Sequence, residues 1–155
     1  MRTIIFFDLE TISADPDTTY PIEVAAYALD AEFDDLPIID GGFFHSRMRP
    51  PLTDEQINDP TIVQDSALYK NKTKREDIIG FPETKIVWKN FAKFCASYKW
   101  DGEMPVAAGW NIKDFDLLIV NRLNKEFKTT RFFQLTNYID LMNLDWIFRQ
   151  RSETY

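Results

Sequence analysis

Four large apolar side chains in a row, Ile4-Ile5-Phe6-Phe7, run without a break into Asp8-Leu9-Glu10-Thr11. An uninterrupted apolar run of this length reads as a strand buried on both faces, the centre of a sheet in an α/β fold. Side chains alternate along a strand, so Asp8 and Glu10 share one side and Leu9 takes the other. Two carboxylates side by side at the end of a buried strand repel each other and lose solvation, which is costly without a compensating cation. Hard oxygen ligands of this kind suit Mg²⁺ or Mn²⁺. The plainer alternative leaves both acids in water just past the strand end.

The chain of 155 residues is long enough for one domain with its own core. No stretch reaches the apolar length of a membrane span and the N-terminus lacks a signal-peptide pattern, so no membrane partner is expected. Cys95 is the only cysteine, which rules out an internal disulfide and fits a reducing, cytoplasmic setting. His45 is the only histidine, so zinc sites built from Cys and His clusters are excluded by count. The net charge of −7 argues against broad electrostatic binding to nucleic acid. Its distribution is uneven: residues 1–68 carry 14 acids and 3 bases, while residues 69–155 carry 11 acids and 15 bases. The first part could supply metal-binding acids and the second phosphate contacts, or the asymmetry is only surface variation.

Along the chain, the polar turn Ser13–Thr19 leads into a second strand, Ile22–Leu29, and so suggests an antiparallel hairpin. A third strand is expected from about Ile38 to Met48, stopped by Pro50-Pro51. Residues 50–82 read as irregular or weakly helical, with a basic cluster Lys70-Asn71-Lys72-Thr73-Lys74-Arg75 that either grips phosphates or is a solvated surface. Helical spacing of Val87, Phe91, Phe94, Cys95 and Tyr98 predicts a helix over about 83–99, with Cys95 a small core residue. A short fourth strand follows at Met104–Trp110. Asn111 reads as the N-cap of the next helix, with Asp114 completing something like a capping box. That helix is expected to bury Phe115, Leu118, Ile119 and Leu123, and to hold Asp116 in its first turn, where the helix dipole favours negative charge. Tyr138–Met142 reads as a fifth strand running into a last helix from Asn143.

Two motifs now stand in order: Asp8-Leu9-Glu10 on the first strand, and Asn111-Ile112-Lys113-Asp114-Phe115-Asp116 at a strand-to-helix junction about a hundred residues later. Together they resemble the DEDD (DnaQ-like) superfamily of 3′–5′ exonucleases, which have the ribonuclease H-like fold. The proofreading exonuclease of bacterial DNA polymerase III and many phage exonucleases belong to it. The similarity extends over nearly the whole chain, and Ser66-Ala67-Leu68 through Thr73 and Ile78 is similar to the substrate-side loop of bacterial and phage members. The resemblance implies a five-stranded mixed sheet with the first strand central and helices on both faces. It implies a metal-dependent hydrolase acting at the 3′ end of nucleic acid, with single-stranded DNA the expected substrate, although no residue separates DNA from RNA. Asp8, Glu10 and Asp116 would be the catalytic carboxylates and the ligands of two Mg²⁺ or Mn²⁺ ions about 4 Å apart, with Asp8 bridging. Leu9, through its backbone, and Thr11 would lie against the terminal nucleotide. Asn111 would fix the Asp116 geometry and contact substrate, and Lys70 would touch a phosphate. The plainer readings leave Asn111 as a cap alone and the lysines as solvated surface.

The family pattern also calls for a fourth carboxylate and a base from a late third motif, His-x-x-x-x-Asp or Tyr-x-x-x-Asp. His45 has Pro50 at the required position, and the residues four beyond Tyr20, Tyr27, Tyr69, Tyr98 and Tyr138 are Val24, Ala31, Thr73, Gly102 and Met142. Asp140 instead matches an Asp that family members carry on the fifth strand, outside the catalytic set. Three explanations stand. Residues 1–155 are a single exonuclease-like domain cut short before its last helices; a partner chain supplies the missing helix; or the protein is an inactive module that binds nucleic acid or a protein partner. A domain lacking that helix is expected to expose apolar residues on one sheet face and to self-associate through them. With three carboxylates and no base, weak metal binding and slow or absent hydrolysis are expected.

Overall fold

The computed structural model describes residues 2–134 and 136–152, the last two of these by backbone alone. Three long strands come first: β1 (Thr3–Thr11), β2 (Pro21–Asp30) and β3 (Ile38–Arg47). Three short helices follow, α1 (Asp54–Asn58), α2 (Asp65–Lys70) and α3 (Arg75–Ile78). Then come α4 (Thr84–Ala96), β4 (Val106–Gly109), α5 (Asp116–Glu126), β5 (Tyr138–Asp140) and α6 (Leu141–Ser152). The sheet order is β3-β2-β1-β4-β5. β1 sits at its centre, antiparallel to β2 and parallel to β4. The expected α/β architecture with a mixed five-stranded sheet is present.

The two faces of β1 differ. Thr3, Ile5, Phe7, Leu9 and Thr11 are buried, whereas Ile4 and Phe6 are half-buried and Asp8 is exposed. The run that reads as two-sided is therefore fully buried on one face only. On that face Phe7 packs against Phe91 of α4 and stacks on Phe133 at 5.2 Å. Trp88, Phe91, Cys95, Ile119, Val120 and Leu123 join the same core. Each fully buried aromatic or branched side chain stabilises by about 1.5–3 kcal/mol, so this cluster is the principal glue of the domain.

The segment 50–82 is not a loose loop. Ile57, Val63, Leu68 and Ile78 form a second small core with Ile12 and Ile22. A capping box at Thr53 and Gln56 starts α1. Arg75 turns inward, donates to the carbonyls of Ile57 and Val63 and pairs with Asp65. This member of the basic cluster therefore has a structural task.

The other sheet face is open over β2 and β3. Tyr27 (41 % exposed) and Phe43 (54 %) lie with ring centroids 4.9 Å apart. On α6, Leu144, Trp146 and Phe148 are exposed. Among the described residues no helix is long and apolar enough to cross a membrane.

Candidate active site

β1 delivers Asp8 and Glu10 to the open face, two residues apart. Asp116 arrives from the other end of the sequence. β4 lies close against β1 because position 109 is glycine: a Cβ there would meet the Phe7 carbonyl oxygen at 2.9 Å. The chain then passes through Asn111 in a left-handed conformation, φ 52°, which Asn tolerates better than most residues. Asp140, at the end of β5, fixes this turn by accepting the N–H groups of Asn111 (3.1 Å) and Lys113 (3.4 Å). It also accepts Met142 N–H at the start of α6 (3.1 Å).

Asn111 does not cap α5. The helix begins at Asp116, preceded by Phe115 at φ −133°, ψ −78° with no side-chain cap. Residues 112–115 form a turn instead, held in part by Leu117 N–H donating to the Ile112 carbonyl. The buried stripe also differs: Leu117 and Val120 are buried and Leu118 is 45 % exposed, against the expectation that Leu118 is core. Asp116 itself, at the first residue of α5, is only 4 % exposed.

One hydrogen bond joins the two motifs: Leu9 N–H donates to Asp116 Oδ1 at 3.2 Å, across 107 residues of sequence. Burial raises the Asp116 pKa from 3.8 to about 7, and the Asp8 charge adds to the shift, while the Leu9 N–H opposes it. Asp8 is raised by burial, opposed by a backbone hydrogen bond from Leu9 and reinforced by Glu23. Glu10 is raised by burial, then by Asp8 and Glu23. All three carboxylates thus hold protons more tightly than in water because anions crowd a partly desolvated place. Among the described residues no three of His, Cys, Asp and Glu are grouped closely enough to hold one ion as they stand. The donor set nonetheless fits a hard divalent cation, because such an ion would offset the repulsion and desolvation that raise these pKa values.

Beside Glu10 lies a cleft of about 230 Å³, lined by Leu9, Thr11, Ser13, Gln64, Lys70, Asn71 and Phe115 among others. Asn71 Nδ2 donates to the Thr11 carbonyl and ties α2 to the end of β1. Leu9, Thr11 and Lys70, named from the sequence, therefore line one cleft with Glu10. Asn111 does not line it.

Three residues on the same sheet face were not singled out from the sequence as site residues. Strand register sets Asp8, Ala25 and His45 in one row, and Glu10, Glu23 and Arg47 in the next. Glu23 accepts from Arg47 Nε at 3.2 Å and lies 2.9 Å from His45 Nε2. The signal available was parity: residues 23, 25, 45 and 47 alternate in phase with 8 and 10 once the hairpin register is known, and the sequence does not fix that register.

No protein-family profile matches the chain, and neither does any curated protein. Solved structures do. E. coli exonuclease I in complex with a dT13 oligonucleotide superposes with a TM-score of 0.67 at 15 % identity, over 91 % of this chain and 28 % of that one. The complex of exonuclease I with the SSB C-terminal peptide gives a TM-score of 0.69 at 16 % identity, covering 92 % and 29 %. A product-bound exonuclease I gives 0.69 at 16 %, covering 92 % and 30 %. The domain has the ribonuclease H-like fold of these neighbours. It spans under a third of their length.

Proposed function

We propose that the domain is a metal-dependent 3′–5′ exonuclease acting on single-stranded DNA. The observation that carries this reading is the Leu9 N–H to Asp116 Oδ1 bond, which brings the carboxylate of the second motif against the backbone between Asp8 and Glu10. Asp8, Glu10 and Asp116 would hold one or two Mg²⁺ or Mn²⁺ ions. Such ions supply charge to a phosphodiester under attack and acidity to the attacking water. The cleft beside Glu10 takes the terminal nucleotide: Leu9 and Phe115 offer apolar wall, Thr11, Gln64 and Asn71 offer polar groups, and Lys70 meets a phosphate. Residues 1–155 act as one exonuclease-like domain in a cytoplasmic setting. The exposed Tyr27–Phe43 pair supports self-association through the open face, to be read by sedimentation.

Two measurements test the reading together. Calorimetric titration with Mn²⁺ should show binding by the wild type and none by Asp8→Asn. A 5′-labelled oligonucleotide should shorten stepwise from its 3′ end in Mn²⁺, slowly, and not at all with Asp8→Asn. Equal metal binding by both proteins refutes the assignment of the site. Metal and DNA binding without any cleavage favours the inactive nucleic-acid-binding module.

A further inference from the structure

We infer that Arg47 is a phosphate-binding residue for the nucleic-acid strand, held in place for that task by Glu23. This rests on the nucleic-acid reading above and adds a contact on β3.

Three other arginines serve the fold with their terminal nitrogens. Arg49 donates from Nη1 to the Ile79 carbonyl and from Nη2 to Asp54. Arg75 uses both Nη atoms on carbonyls and on Asp65. Arg122 donates to the Thr19 carbonyl and pairs with Glu126. Their terminal nitrogens are occupied by the fold. Arg47 is held differently: only Nε is bonded, to Glu23 Oε2, and the guanidinium carbon lies 5.5 Å from the centre of the Phe81 ring. Among the described residues, neither Nη atom has a hydrogen-bond partner. Its side chain is 46 % exposed.

A guanidinium fixed at Nε and over a ring face, with its terminal fork free, is preorganised for a phosphate, whose oxygens match that fork. Its position fits a strand that ends among the carboxylates. Glu10, Glu23 and Arg47 stand in one row across three strands. At the usual strand spacing the Arg47 backbone lies about 10 Å from that of Glu10. In the adjoining row Ala25 separates Asp8 from His45, so the sheet surface there carries only a methyl group. Glu23 also explains how a cation comes to rest beside three acids without collapsing onto them: it lies between Glu10 and Arg47 and engages Nε.

The test is binding of a 5′-fluorescein oligothymidylate about 10 nucleotides long, followed by anisotropy in EDTA across a salt series. Arg47→Ala should weaken binding about tenfold at low salt and reduce the slope of log Kobs against log salt by about 0.7, the value for one single-strand phosphate contact. Arg47→Lys keeps the charge but loses the fork, so it should restore the slope and only part of the affinity. Lys99→Ala, an equal loss of charge on a distant exposed residue, should change neither by a comparable amount. Thermal unfolding of each variant separates a folding defect from a lost contact, and the Lys variant carries the test if the Ala variant unfolds. Binding by wild type and Arg47→Ala with the same affinity and slope overturns the inference and leaves the nucleic-acid reading standing. No binding by the wild type at low salt overturns both.

Discussion

A carboxyl group with a pKa near 7 makes stability depend on pH in an uncommon direction. Free aspartate ionises near 3.8, whereas buried Asp116 does so at about 7. Between those values the native state holds a proton that the unfolded chain has released. Stability is therefore full below the unfolded pKa and falls as pH rises through the native one, by about 1.4 kcal/mol per unit. Over three units the loss is about 4 kcal/mol, a large part of what a domain of this size has. The upward shifts at Asp8 and Glu10 act with the same sign. Asp116→Asn keeps an oxygen to accept Leu9 N–H and removes the titration. In urea unfolding followed by tryptophan fluorescence, in EDTA from pH 5.5 to 8.5, the wild type should lose about 2 kcal/mol up to pH 7 and level off above it, while the variant should lose much less. The series begins above the isoelectric point of about 4.7. At pH 8 the variant should be the more stable by up to about 4 kcal/mol. Mg²⁺ should then raise wild-type stability at pH 8 and leave the variant almost unmoved. Parallel pH profiles for the two proteins would refute the placing of the perturbed carboxyl at Asp116.

Three other substitutions or reagents probe separate links. Gly109→Ala forces β4 away from the Phe7 carbonyl and should lower stability by about 1–3 kcal/mol, read as a drop in Tm, with weaker Mn²⁺ binding because Asp8 follows Phe7 directly. Lys70→Ala should weaken oligonucleotide binding several-fold while leaving Tm unchanged, since its side chain is exposed at the cleft. Cys95, whose thiol burial pushes well up, should resist an aromatic disulfide reagent in the native protein and react at once in denaturant.

The sheet could be read from the sequence where periodicity was strong. β1 and the β1–β2 hairpin follow from long runs bounded by a polar turn, and α4 from one apolar stripe. The junction at Asn111 could not be read so easily. Asn suits both an N-cap and a left-handed turn, and the choice is made by Asp140, 29 residues later, which binds two N–H groups of the turn. The buried face of α5 differs as well, turned toward Leu117 and Val120. The segment 50–82 looked irregular because its apolar residues are spaced for a core shared with Ile12 and Ile22, not for one long helix. At the site, Asp8, Glu10 and Asp116 share one region, and Leu9, Thr11 and Lys70 line one cleft beside Glu10. Glu23, His45 and Arg47 became visible only with strand register in hand.

The bond between Leu9 and Asp116 also has a history in time. β1 is made first, yet its β4-side edge and the acceptor for Leu9 N–H come about a hundred residues later. During synthesis at about 5–20 residues per second, that edge waits roughly 5–20 s. The hairpin with β2 can form early and shield one side, while the other presents Ile4 to Phe7 as an unpaired apolar strand, the kind of edge on which chains pair with one another. The long-range closure that builds the site is thus also the step at which a nascent chain is most exposed to aggregation, and slow emergence of β4 should lower the yield of folded protein.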